Sequence, residues 1–212
     1  MKSETQALES EPVFFTSYAQ KQSAWPRFVL PQIIRRANEA AQGQDWFTLA
    51  DWLAARGCNP QPGQATNAIL ASLHEAARQG RYKDDPEGFD VVYPVATRRA
   101  LGRQGVYYPP TIQDGGDCDD WTAVILAALL RFQLPARIIT CGTGQDAFAH
   151  VYPRARLADG TWRTLDAKGS QRGLDYDFAP PRSMFPIRQA WAWHWKQDGA
   201  EPRLCIAEDA EA

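Results

Sequence analysis

Cysteine and histidine are scarce in this chain, and their scarcity narrows its chemistry. There are four cysteines and three histidines in 212 residues. The cysteines stand at 58, 118, 141 and 205, far apart and without a CxxC pair, so neither a disulfide framework nor a zinc-binding spacing is written into the sequence. The expectation is a reduced protein that carries no metal and no cofactor. Long apolar runs are also missing. The longest, Val124 to Leu130, falls far short of the ~20 residues needed to span a bilayer. There is no basic run and the net charge is −2, which argues against a nucleic-acid partner. The opening "MKSETQALESEP" has no apolar h-region; a cytoplasmic protein is expected, with no membrane partner.

Apolar and aromatic residues, by contrast, are plentiful. The chain is 44% hydrophobic with eight tryptophans, enough to build a sizeable core. Residues 1–64 read as an N-terminal helical extension: the pattern is helical from about Pro26 to Gly57, with Phe28, Ile33 and Ile34 on one stretch. A further helix is expected from Thr66 to Gln79, with Ile69, Leu70, Leu73 and Ala77 on one face and Gly80 ending it. Residues 80–117 form a long connection, and connections of that length inside a domain are usually functional. A helix then runs from Cys118 to about Phe132, followed by strand patterns in "ARIITCG", "FAHVYPRARL" and "TWRTLDA". Helices followed by antiparallel strands make an α+β order. Residues 168–212 are aromatic-rich and are expected to complete or cover the core. In them "WAWHWK" sets Trp191, Trp193 and Trp195 on one strand face.

The stretch "QDGGDCDDWTAVILAALLRF" poses the chemical question, because it sets Cys118 among Asp117, Asp119 and Asp120. Asp117 suits an N-cap, which puts Cys118 at the first helical position and the other two acids in the first turn. Acids there are favourable against the helix dipole, so they need no functional explanation. The same helix terminus favours thiolate over thiol, while the carboxylates oppose it. A reactive cysteine here therefore needs a cation or base nearby. His150, in "FAHVYPRA", and Asp166, in "WRTLDA", lie on successive strand patterns and can supply a base and the acceptor that orients it. Strand parity sets a condition: an even two-residue turn sends Asp166 to the opposite face, whereas a three-residue loop, Ala158-Asp159-Gly160 with Gly160 left-handed, keeps it on the face of His150. His74, inside the third helix, reads as a surface or packing residue.

With these residues in place, "GGDCDDWTAVILAALLRFQLPAR", "AHVYPRA", "DGTWRTLDA" and the upstream "RYKDDPEGFDVVYP" resemble the transglutaminase-like superfamily of papain-like thiol enzymes, in particular its small stand-alone bacterial and phage members. The resemblance spans roughly Thr66 to Ala167. It implies a papain/transglutaminase-like α+β core over residues 65–167, in which a nucleophile helix packs on an antiparallel sheet, with N-terminal helices added. It also implies a catalytic Cys118, His150 and Asp166. Oxyanion or substrate candidates are the Cys118 N–H, Gln113 (by analogy with the glutamine upstream of the papain cysteine), Tyr107, Tyr108 and Trp121. One departure stands out: the family usually has a glycine before the Pro-Ala-Arg, and "RFQLPAR" lacks it, so the helix must end differently. Three functions fit: a thiol hydrolase acting on an amide or isopeptide bond through an acyl-enzyme, a crosslinking acyltransferase, or a non-catalytic virion component. The implied partners are a peptide or protein substrate, cell-wall peptides included, and phage or prophage tail proteins.

Overall fold

The computed structural model describes residues 13–14, 18–43, 46–85, 89–90, 92–93, 95, 97–98, 115–142, 150–167, 189–196 and 199–205, and its architecture is α+β. The described helices are α1 (Tyr18–Gln42), α2 (Leu49–Ala54), α3 (Asn67–Arg78) and α4 (Cys118–Arg131). Every residue of α4 from Asp119 to Leu129 is buried. A helix that is apolar on all sides belongs at the centre of a core, and α1, α2, α3 and the sheet pack around it. Leu30, Ile33 and Ile34 of α1, Leu49 and Leu53 of α2, and Leu70 and Leu73 of α3 join the α4 side chains in one hydrophobic cluster. Each such side chain stabilises the fold by about 1.5–3 kcal/mol on full burial, so the N-terminal helices are held to α4 by shared core.

Strands β1 (Val13–Phe14) and β3 (Phe89–Asp90) form one small antiparallel pair, and β2 (Trp46–Phe47) and β4 (Thr97–Arg98) form another. The main sheet contains β5 (Ala136–Gly142), β6 (His150–Arg156), β7 (Trp162–Thr164), β8 (Gln189–Lys196) and β9 (Gly199–Cys205) in the order β7-β6-β5-β8-β9, antiparallel throughout. The aromatic-rich C-terminal segment thus extends the sheet beyond β5. The backbone of β8 is a strand, as its alternation requires, with an irregularity between His194 and Lys196. Among the described residues, no helix is long and apolar enough to cross a membrane.

The structure departs from the sequence pattern at α1. The helix begins at Tyr18 and runs through Pro26 and Pro31, although an internal proline costs about 3 kcal/mol. Burial of Trp25, Val29, Leu30, Ile33, Ile34 and Ala37 along one face offsets that cost. Phe28 lies off this face and is exposed, and Phe47 belongs to β2 instead of a helix. The end of α4 shows how the missing glycine is replaced. Gln133 takes φ +56, its N–H donates to Leu130 O at 2.9 Å, and the Leu134 N–H donates to Leu129 O at 2.9 Å. That is the bond pattern of a Schellman cap, with glutamine in the left-handed position that glycine usually fills.

Candidate active site

Cys118 opens α4 as its first residue, behind the N-cap Asp117. The cap is reciprocal. The Asp119 N–H donates to Asp117 Oδ1 at 3.1 Å, and the Asp117 N–H donates to Asp120 Oδ2 at 3.2 Å. Asp120 Oδ1 accepts the Tyr93 N–H at 2.7 Å, so this acid also anchors the upstream connection to the helix start. Cys118 and Cys58 are both partly exposed, and neither is in a disulfide. The side chains of Cys141 and Cys205 lie outside the described residues.

The hairpin carrying the histidine and aspartate meets the parity condition. Arg156 pairs with Trp162, and the Leu157 N–H donates to Thr161 O at 2.8 Å. The loop between them is Ala158-Asp159-Gly160, with Gly160 at φ +92. The Asp159 carboxylate accepts the Thr161 N–H at 2.9 Å, which closes the turn and lowers its own pKa. The odd loop carries Asp166 to the face of His150, and His150 Nε2 lies 2.9 Å from Asp166 Oδ2. Both residues are buried, at 5% and 3% exposure. A carboxylate only accepts hydrogen bonds, so the imidazole proton sits on Nε2 and Nδ1 is left as the basic nitrogen. His74 of α3 is buried too, and its Nε2–H donates to the main-chain oxygen of Asp166 at 3.2 Å. Burial lowers its pKa, which keeps it neutral and a donor.

Thr122 ties α4 to the strand that carries His150. One turn after Cys118, its hydroxyl shares a hydrogen bond between Cys118 O at 2.6 Å and Val151 O at 3.1 Å. The first turn of α4 therefore lies against the start of β6, where His150 stands.

On the other side of Cys118 runs the segment after α3. Tyr82 bridges Gly116 in parallel pairing; the Lys83 N–H donates to Gly116 O at 2.9 Å, and the Gly116 N–H donates to Arg81 O at 3.2 Å. Gly115, at φ +91, is required here, because a Cβ on it would stand 2.9 Å from Arg81 O. Trp121 covers Gly80, where a Cβ would overlap its ring, and gives its indole N–H to Arg81 O at 3.3 Å. Trp121 is thus buried and committed to holding residues 80–81. The sequence nominated it for the oxyanion or substrate; the structure brings Tyr82 to Cys118 instead. The Tyr82 hydroxyl lies within hydrogen-bonding reach of the Cys118 thiol. Gln113, Tyr107 and Tyr108 lie outside the described residues. The signals for Tyr82 and His74 were weak: the tyrosine sat in a connection segment, and the histidine sat on the apolar face next to Leu73 and Ala77.

The acids around the helix start are not three free charges. Burial, with Asp117 close by, pushes Asp119 well above the usual carboxylate range and Asp120 up to about 8. Both Asp119 oxygens are buried with no hydrogen-bond partner. Asp117, Asp119 and Asp120 each offer an oxygen within 4.8 Å of the others, as do Asp85, Asp90 and Asp117. Such crowding demands neutralisation, by a proton or by a cation.

No family model matches the sequence, and a comparison with curated proteins gives no match. Solved structures do show likeness. Calcium-bound LapG of Legionella pneumophila aligns at a TM-score of 0.45 and 16% identity, over 84% of this chain and 88% of that one. EGTA-treated LapG of the same organism aligns at 0.43 and 16%, over 83% and 91%. A Rad4–Rad23 complex bound to a 6-4 photoproduct UV lesion aligns at 0.41 and 11% identity, over 84% of this chain and 47% of that one. What the site can do follows from its own side chains.

Proposed function

We propose that the protein is a cysteine hydrolase of the transglutaminase-like type, which cleaves an amide or isopeptide bond through an acyl-enzyme. The buried hydrogen bond between His150 Nε2 and Asp166 Oδ2 at 2.9 Å carries this reading. A carboxylate that orients a buried imidazole is the arrangement nucleophilic catalysis needs, and the helix that begins with Cys118 is tied to the same strand. In this reaction the Cys118 proton passes to His150 Nδ1 and the sulfur bonds to the carbonyl carbon. The π electrons move onto the oxygen. Collapse of that adduct expels the amine, which takes the proton from Nδ1, and water then hydrolyses the thioester. Peptides are the proposed substrate class, cell-wall stem peptides among them, and phage or prophage tails are the proposed setting, which rests on the sequence resemblance alone. An acyltransferase would use the same residues with an amine as acceptor.

The carboxylates beside the nucleophile fit a hard divalent cation such as calcium, which takes oxygen donors. Asp117 and Asp119 would hold it, with Asp120, Asp85 and Asp90 around them. The unpartnered buried carboxylate of Asp119 is the feature that asks for it. Bound there, a cation would neutralise the acids next to Cys118.

The test is alkylation followed by cleavage assays. Iodoacetamide near neutral pH should modify Cys118 well ahead of Cys58, as read by peptide mass spectrometry. Incubation with stem peptides, with and without an added primary amine, should then separate hydrolysis from transfer. A Cys118 that is inert while Cys58 reacts would favour the non-catalytic reading.

A further inference from the structure

The connection between α3 and α4 holds one side chain in position to do more than pack. Arg81, Tyr82 and Lys83 are clamped from three directions: by main-chain bonds to Gly116, by the close approach that Gly115 permits, and by the indole of Trp121 on Arg81 O. Tyr82 sits in the middle of this clamp, partly buried against the core, with its hydroxyl within reach of the Cys118 thiol. When a sulfur attacks a carbonyl, the carbonyl oxygen comes within about one hydrogen-bond length of the sulfur, and a donor about 3 Å from that oxygen stabilises its developing charge. A hydroxyl held by this clamp within reach of the sulfur is such a donor. We propose that the Tyr82 hydroxyl is the side-chain donor that receives the oxyanion formed when Cys118 attacks its substrate.

The assignment rests on the acyl-enzyme reading above and deepens it. Burial first, and then the charge Cys118 can carry, hold the Tyr82 phenol proton above its ordinary range. The group therefore remains an O–H donor near neutral pH. As the π electrons of the carbonyl move onto oxygen, the Tyr82 O–H donates its hydrogen bond to that oxygen and gives up no proton. On collapse the pair returns to the carbonyl. Charge that would otherwise grow beside buried carboxyl groups is met by a dipole already in place.

Tyr82→Phe tests this, because it keeps the ring in its packing and removes only the hydroxyl. Two probes of the same thiol are compared. Iodoacetamide alkylates sulfur without forming an oxyanion; p-nitrophenyl acetate acylates it through one, with p-nitrophenol release as the signal. We expect acylation to fall about 100-fold or more, in the range measured for losing one oxyanion donor, while alkylation changes less than tenfold. A merely structural role for Tyr82 would move both rates by the same factor, and that outcome would overturn the assignment, as would two unchanged rates. If wild-type Cys118 reacts with neither probe, the acyl-enzyme reading itself fails and the assignment falls with it. Unchanged far-UV circular dichroism and Tm confirm that the variant folds.

Discussion

His150 donates a hydrogen bond from its Nε2–H to Asp166, and this leaves Nδ1 as the nitrogen that can accept a proton. With the carboxylate in place, Nδ1 has no proton and can accept one from a thiol. An amide in place of the carboxylate can instead donate to Nε2, which would move the imidazole proton to Nδ1 and block the base. Asp166→Asn keeps the size of the side chain and its buried setting. The variant should therefore fold with a Tm near wild type yet lose turnover by about four orders of magnitude, the scale seen when a catalytic histidine is held in the wrong tautomer. Acylation by p-nitrophenyl acetate measures the loss. Rates equal to wild type would mean that a different acceptor orients the ring.

Among the elements, α3 contributes a second histidine to the site. His74 hydrogen-bonds the Asp166 main chain, so the position of the carboxylate depends on a helix some ninety residues earlier in the chain. Burial lowers the His74 pKa below 6.5 in the folded state. The neutral form is favoured by folding, so its stability contribution is complete above the unfolded value of 6.5 and is lost as pH falls toward the folded value. Stability measured by urea titration at intervals from pH 7.5 to 5 should show that loss. In His74→Gln, whose amide can still donate to Asp166 O, the profile should lose this component. The difference between the two profiles isolates His74 from the raised carboxyls of Asp119 and Asp120, which titrate in both proteins. Parallel profiles would show that His74 takes no part in the pH dependence.

The same element shows where sequence reading succeeds and where it stops. The Asp117 cap and the three-residue hairpin were legible because both depend on neighbours in the chain: an N-cap acid ahead of an apolar helix, and a glycine where a positive φ closes an odd loop. The α3 boundaries followed for the same reason, with Thr66 capping its N-terminus. Tyr82, His74 and the true start of α1 were not legible. Tyr82 meets Cys118 only after two segments pair across a long connection, and His74 meets Asp166 only after α3 docks near the hairpin. The prolines of α1 carry a local signal to stop that tertiary burial overrides. Trp121 was an oxyanion or substrate candidate, whereas its indole closes on Gly80 and donates to Arg81 O.

For the whole molecule, the carboxylate group near Cys118 is where distant parts of the chain converge. Asp85 and Asp90 come from the connection, Asp117, Asp119 and Asp120 from the start of α4, and Asp90 also accepts the Trp25 indole N–H of α1 at 3.1 Å. A cation held there would join three regions of the chain, and a ligand that binds only the folded state raises stability by mass action. At about 100 times its Kd, calcium would add about 2.7 kcal/mol, which for a domain of this size is a Tm increase of about 5–10 °C, at about 2–4 °C per kcal/mol. EGTA should reverse it. Asp119→Asn separates the two ways of neutralising the group. If a cation balances the buried charge, the substitution abolishes the calcium-induced shift. If a shared proton balances it, wild type shows no shift with calcium at all, and Asp119→Asn, which removes a carboxyl that burial disfavours, leaves the protein at least as stable. A Tm that is indifferent to both calcium and EGTA would leave the proton as the answer.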